Sequence, residues 1–265
     1  MNLRQILEAV ASRKIGIGEA EKLIKLTSVE EIENLAKMDV SRELRRGVPE
    51  VVLAEGKTPD QLVKIVLRSI AARRKVIISR VGDDQGKVIR KAIPRGFRLV
   101  ENKLAKIVVV EPMGSRRGRL DGVVGIMTAG TSDIPVAEEA KFILEQMGCR
   151  TVSSYDVGVA GVHRLFSSVK SMTEEDIDVL IAVAGREGAL PTVVAGLVDV
   201  PVIAVPTSIG YGFGGNGLAA LQSMLQACSL GIAVVNIDSG LAAGIVAALI
   251  VHRLNSRKTR SAKPS

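Results

Sequence analysis

Tryptophan is absent from this chain of 265 residues, and aromatic side chains make up only 2% of it. A core of that composition has to be packed from Ala, Val, Ile and Leu, which suits buried parallel strands covered by helices. The scarcity of rings also speaks against a dedicated nucleic-acid surface, where bases commonly stack on aromatic side chains. There are two histidines and two cysteines, and none of them has zinc-site spacing. At the amino terminus, MNLRQILEAVASRK, polar residues interrupt the apolar ones, so a secretory signal is not expected. Cys149 and Cys228 are then expected to be thiols in a reducing compartment, and the protein to be soluble and cytoplasmic. The longest apolar run, around Leu241–Val251, is too short to span a bilayer and has the spacing of a buried helix; neither a membrane nor a nucleic acid is expected as a partner.

What is present points to a folded α/β protein. Hydrophobic residues make up 47% of the chain, enough for real cores. Charge is uneven: residues 1–120 hold 26 Lys+Arg against 15 Asp+Glu, whereas residues 121–265 hold 10 against 13. A basic half attracts phosphate-bearing ligands, although solvated helix faces explain most such excesses.

The apolar stripe Leu3, Ile6, Leu7, Val10, continued by Ile24, Ile32 and Leu35, predicts a helical lead-in to about Val40. Strands are expected at Val51–Leu53, Lys75–Ser79, Arg98–Val100 and Ile107–Val110. A helix is expected at Pro59–Arg73, with Thr58 as its cap and Pro59 at its first position. The arginine-glycine stretch Gly114–Gly122 reads as the boundary between a basic α/β domain over 1–118 and a second domain over 119–254. A basic, flexible tail follows over 255–265. In the second domain, short β-branched runs at Val123–Met127, Thr151–Ser153, Val179–Val183, Val202–Val205 and Ile232–Val235 alternate with helical lengths. This is the mark of βαβ units in a parallel sheet, whose ligands bind beyond the carboxyl ends of the strands.

Four loops therefore carry the candidates. The first, Thr128–Asp133, sets small residues before a helix start that favours anions; Gly130, Thr131, Ser132 and Asp133 are its candidates, with Ser132 or Asp133 as a simple helix cap the structural alternative. The second contains Asp156, Gly158, His163 and Arg164. In the third, Gly185, Arg186 and Glu187 place a base and an acid together, Glu187 serving as general base or as a surface partner of Arg186. The fourth, Pro206–Gly217, is long and rich in glycine, with Thr207, Gly214 and Asn216 as candidates, and leads on to Cys228. Composition alone favours an inert Cys228, and Cys149 still more so.

Taken together, GIMTAGTSD, YDVGVAGVHR, GREGALPTVV, VPTSIGYG and VVNIDSG, with RRGVPEVVLAEGKTP in the first half, resemble the LarB family. These are the carboxylases that begin synthesis of the nickel-pincer nucleotide cofactor of lactate racemase. The second half is also similar to the purine-pathway PurE carboxylase and mutase family, acting on aminoimidazole ribonucleotide. That family carries a histidine before its Leu-Pro pair, whereas this chain has Ala189 before Leu190-Pro191.

The resemblance implies a PurE-like three-layer parallel-sheet domain preceded by a smaller α/β domain, and a homo-oligomer. It implies carboxylation of the pyridinium ring of nicotinic acid adenine dinucleotide at C5, with carbon dioxide or bicarbonate, and hydrolysis of its phosphoanhydride. The products are AMP and pyridinium-3,5-biscarboxylic acid mononucleotide. Magnesium is expected with the substrate phosphates, and no tightly bound organic cofactor or dedicated metal cage. An electron-poor pyridinium does not attack carbon dioxide until a nucleophile adds to it. Cys228 is the expected nucleophile, Asp156 or Glu187 the base for the C5 proton, and Ser132, Asp133 and His163 position the reacting groups. In the first half Arg45, Arg46, Glu50, Glu55 and Lys57 are expected to bind the dinucleotide or, alternatively, to be solvated charges. The competing readings are a purine-type carboxylase or mutase and a non-catalytic nucleotide-binding protein.

Overall fold

The stripe Leu3, Ile6, Leu7, Val10 folds as helix α1 (Leu3–Ala11), followed by α2 (Ile17–Thr27), in a computed structural model that describes residues 3–27, 29–32, 36–39, 48, 50–71, 75–115, 118 and 120–261. The helical lead-in stops there, which corrects the expectation that it reaches Val40. Val29–Ile32 (β1) and Ala36–Asp39 (β2) pair as antiparallel strands, with Ile32 opposite Ala36 and Glu31 opposite Lys37. Leu35 and the candidate ligands Arg45 and Arg46 lie outside the described residues.

The chain divides into two compact units, residues 1–101 with 106–115 and residues 102–105 with 116–265. In the first, β3 (Glu50–Leu53), α3 (Pro59–Ala71), β4 (Val76–Ser79), α4 (Asp83–Ala92), β5 (Phe97–Asn102) and β6 (Ile107–Pro112) follow in turn. Helix α3 begins where the sequence indicates. The Gln61 amide donates to Thr58 Oγ1 at 3.3 Å and the Thr58 amide to Gln61 Oε1 at 3.0 Å, a reciprocal cap that satisfies two otherwise orphaned donors. The sheet order is β3-β4-β6-β5, with β3 parallel and β6 antiparallel to β4. Val76, Ile78, Val108 and Val110 bury one sheet face against Leu62, Ile65, Val66 and Ile70 of α3.

The second unit comprises β7 (Val123–Thr128), α5 (Ile134–Gln146), β8 (Arg150–Ser154), α6 (His163–Glu174), β9 (Val179–Ala184), α7 (Ala189–Ala195), β10 (Val202–Pro206), α8 (Leu218–Leu225), β11 (Ile232–Val234) and α9 (Gly240–Ser261). Its five strands are all parallel, in the order β11-β10-β9-β7-β8. Because strand side chains alternate between faces, Val124, Ile126, Val179, Ile181, Val183, Ile203 and Val205 pack on α5 and α9. Met127, Leu180, Ala182, Ala184, Val202 and Ala204 pack on the other face against Leu165, Met172, Leu190, Val194, Ala220 and Met224. The result is a helix-sheet-helix sandwich. Helix α9 continues to Ser261, through most of the stretch expected as a tail.

From β7 the chain passes to β8 on one side and returns through α6 to β9 on the other. The loops after β7 and β9 therefore part at the carboxyl ends of adjacent strands, the switch point at which parallel sheets hold ligands.

Candidate active site

A cavity of about 260 Å³ opens at this switch point. The loop after β7 contributes Ala129, Gly130, Ser132 and Asp133 to its wall, the loop after β8 Gly158, Val159 and Ala160, and the end of β9 and the turn beyond it Ala184 to Glu187. Ala189 and Leu190 of α7, with Ile209, complete the lining. Half of these residues are glycine or alanine, so a ligand meets main chain over much of the wall.

Asp133 is the buried carboxyl of the site, 4% exposed. Its Oδ2 accepts from the Gly130 amide at 2.9 Å, and its Oδ1 accepts from the Thr207 hydroxyl at 2.7 Å. Burial pushes its pKa up; hydrogen bonds from Thr207, Gly130 and Gly185 pull it back, and Asp238 adds a small push upward. Thr207 directly follows β10, so this contact ties the fourth loop to the first. Beside it, the Ser208 amide donates to Asp238 Oδ1 at 2.8 Å.

Arg186 has a left-handed backbone, φ +49°, and its amide donates to the Ile209 carbonyl at 2.9 Å. Gly185 is required at this crossing, because a β-carbon there would stand 2.3 Å from the Ile209 carbonyl oxygen. The Arg186 guanidinium donates to the Tyr211 hydroxyl at 2.7 Å and lies 4.6 Å from the centre of the same ring. Among the described residues lining the cavity, Arg186 is the one cation, set against the carboxyls of Asp133 and Glu187.

Of the candidates named from sequence, Gly130, Ser132, Asp133, Gly158, Gly185, Arg186 and Glu187 converge on this one cavity, and Thr207 reaches it through Asp133. Thr131, Asp156, His163, Arg164, Gly214 and Asn216 stand outside its lining. Asp156 accepts from Arg164 at 3.2 Å, an exposed ion pair of small energetic weight. His163 is the exposed first residue of α6. Lys57 belongs to the first unit, where it donates to the Leu53 carbonyl at 2.7 Å.

Cys228 is exposed on the segment after α8 and does not line the cavity; its neighbour Ser229 donates to the Thr192 carbonyl at 2.8 Å. Cys149 is buried, its thiol pushed up to about 11 by desolvation and by Asp178. Tyr211 and Asp238 were not singled out from sequence. A tyrosine inside the most glycine-rich stretch of a chain with two tyrosines was the available signal for Tyr211. Among the described residues no three His, Cys, Asp or Glu side chains cluster as a metal cage, and no helix is long and apolar enough to cross a membrane.

The AIR carboxylase family matches residues 123–262, and the LarB/PurE-like N-terminal domain matches residues 29–112. An uncharacterized protein of Methanocaldococcus jannaschii is 47% identical over 94% of this chain and 96% of its own length. The N5-carboxyaminoimidazole ribonucleotide mutase of Thermotoga maritima is 36% identical over 48% of this chain and 74% of its own. A crystal structure of a Treponema denticola PurE2 variant aligns with a TM-score of 0.39 at 24% identity, over 52% of this chain and 94% of that one. With both halves matched in order, the chain belongs to the LarB/PurE-like family, an AIR carboxylase domain preceded by a LarB/PurE-like N-terminal domain.

Proposed function

We propose that this protein carboxylates the pyridinium ring of nicotinic acid adenine dinucleotide at C5 and hydrolyses the phosphoanhydride, releasing AMP and pyridinium-3,5-biscarboxylic acid mononucleotide. The observation that carries this reading over a purine-type reaction is Ala189 on the cavity wall. The purine relatives carry an imidazole immediately before the Leu-Pro pair, and here the corresponding position has no group to move a proton. The LarB/PurE-like N-terminal domain supports the same choice.

In this reading the Cys228 thiolate adds to a ring carbon next to C5, turning the cation into a neutral enamine. C5 then attacks carbon dioxide. A base removes the C5 proton, and the returning electron pair expels the thiolate and restores the aromatic ring. Glu187, exposed on the cavity wall, is the base the geometry favours; Asp156 is turned to Arg164 instead. Ser132, on the cavity wall, helps to position the ring. Water then cleaves the phosphoanhydride, with magnesium entering as a companion of the substrate phosphates. Cys228 is exposed and stands outside the cavity lining, so its role as nucleophile rests on the family resemblance.

The test incubates full-length protein with the dinucleotide, bicarbonate and magnesium, followed by mass spectrometry. AMP and a mononucleotide heavier by one carboxyl group, both lost in Cys228→Ala, are expected. Turnover of an aminoimidazole ribonucleotide instead would establish the purine-type reaction. Binding of the dinucleotide without turnover would establish a nucleotide-binding protein.

A further inference from the structure

The glycine-rich loop after β10 contains an arrangement that the reaction above does not require. Tyr211 is 79% exposed, on a segment where Gly210 and Gly212 have φ of +159° and +79°. Its hydroxyl nevertheless meets the Arg186 guanidinium at 2.7 Å, and its ring lies 4.6 Å from the guanidinium carbon. The main chain reinforces the pairing, since the Arg186 amide donates to the Ile209 carbonyl two residues before Tyr211. An exposed arginine loses much side-chain freedom when it is fixed by both a hydrogen bond and a ring face. The phenol is a neutral acceptor and occupies only part of a five-donor fork that suits carboxylates and phosphates.

We propose that Tyr211 is a positioning residue that holds Arg186 at the cavity as the anion-recognising group of the ligand site. An incoming carboxylate or phosphate takes the free edge of the fork while the tyrosine keeps the guanidinium in place. The identity of the ligand rests on the dinucleotide reading; the role of the pair does not, and the test separates them.

The chain has no tryptophan and two tyrosines. The other, Tyr155, donates to Glu138 at 2.6 Å and does not line the cavity. A Tyr155→Phe protein therefore reports Tyr211 fluorescence alone. It is titrated with nicotinic acid adenine dinucleotide, its nicotinamide counterpart and inorganic pyrophosphate, and the same ligands are measured by calorimetry on Tyr211→Phe, Tyr211→Ala, Arg186→Lys and Arg186→Met.

If the anion is the ring carboxylate, the acid dinucleotide binds at least about tenfold more tightly than the amide, in line with the weight of a charge-assisted hydrogen bond. That preference shrinks in Tyr211→Phe, shrinks further in Tyr211→Ala and Arg186→Lys, and vanishes in Arg186→Met. If the anion is a phosphate, acid and amide bind alike, pyrophosphate competes, and all three weaken together along the same series. In steady state Tyr211→Phe raises KM with kcat retained, a split that a loss of folding does not give. Pyrophosphate binding through Arg186 without dinucleotide binding would retire the dinucleotide and leave the pair. Affinities unchanged across the Tyr211 and Arg186 variants would overturn the proposal with the carboxylase reading intact, and absence of binding by all three ligands would overturn both.

Discussion

The Thr207 hydroxyl donates to Asp133 Oδ1 at 2.7 Å, joining the segment after β10 to the residue before α5. Thr207→Val keeps the shape of the side chain and removes the donor, leaving a buried carboxyl with one partner fewer. The expected cost is about 1–3 kcal/mol in urea unfolding at neutral pH, and Thr207→Ser is expected to recover most of it.

The same carboxyl sets a pH dependence. Burial raises the pKa of Asp133 above its ordinary 3.8. Between the unfolded and folded values the native state binds more protons than the unfolded one, so its contribution to stability declines as pH rises through that window. Asp133→Asn cannot titrate, and its urea midpoint should therefore fall less than that of the wild type from pH 4 upward. A wild-type decline as shallow as that of the variant would contradict the assignment.

The two cysteines should separate by reactivity. The Cys149 thiol, pushed up to about 11 and buried, forms almost no thiolate at pH 8, while Cys228 is exposed. Brief treatment with iodoacetamide at pH 8 followed by peptide mapping is expected to label Cys228 and spare Cys149. Loss of carboxylase turnover should track the labelling of Cys228.

Ala189→His restores the imidazole that purine-type relatives carry before Leu-Pro, and it adds a ring to the wall of a cavity of about 260 Å³. If the proposed dinucleotide is the ligand, affinity for it should drop at least about tenfold, about 1.4 kcal/mol, with the circular dichroism spectrum retained. A variant that binds the dinucleotide as before would show that this part of the wall is not used.

Helix α9 crosses α5 at Gly240, where an added β-carbon would lie 1.9 Å from the Val136 carbonyl oxygen. Gly240→Ala must push the two helices apart, and a loss of about 1–3 kcal/mol or more is expected in thermal or urea unfolding. Since α5 begins at the Asp133 loop, carboxylase activity should fall by more than the unfolded fraction accounts for.

The parallel sheet was legible because its three central strands β7, β9 and β10 are short apolar runs, such as VLIAVA at Val179–Ala184, that are buried almost throughout. The hairpin at Val29–Ile32 and Ala36–Asp39 was not, since its Glu, Lys, Ala and Met residues all favour helices and only cross-strand pairing decides the outcome. Helix α4 escaped notice because its sequence, DDQGKVIRKA, buries only Gly86 and Ile89. At the site, loop position told which segments converge, and Gly130, Ser132, Asp133, Arg186 and Glu187 follow from it. It did not tell which way a side chain leaves its loop. Asp156, with φ +57°, is turned to Arg164, and His163 opens α6 in solvent.

Half of the residues around the cavity are glycine or alanine, and this bears on how the site changes over evolutionary time. Point substitution alters side chains, and a wall of carbonyls, amides and methyl groups has few to alter. The side chains larger than a methyl group on this wall are Ser132, Asp133, Val159, Arg186, Glu187, Leu190 and Ile209, so ligand choice changes by swapping these, or by enlarging the residue at 189. An inhibitor built against the main-chain part of the wall would therefore be little affected by point substitution there, and selectivity would have to be won at the side chains that project.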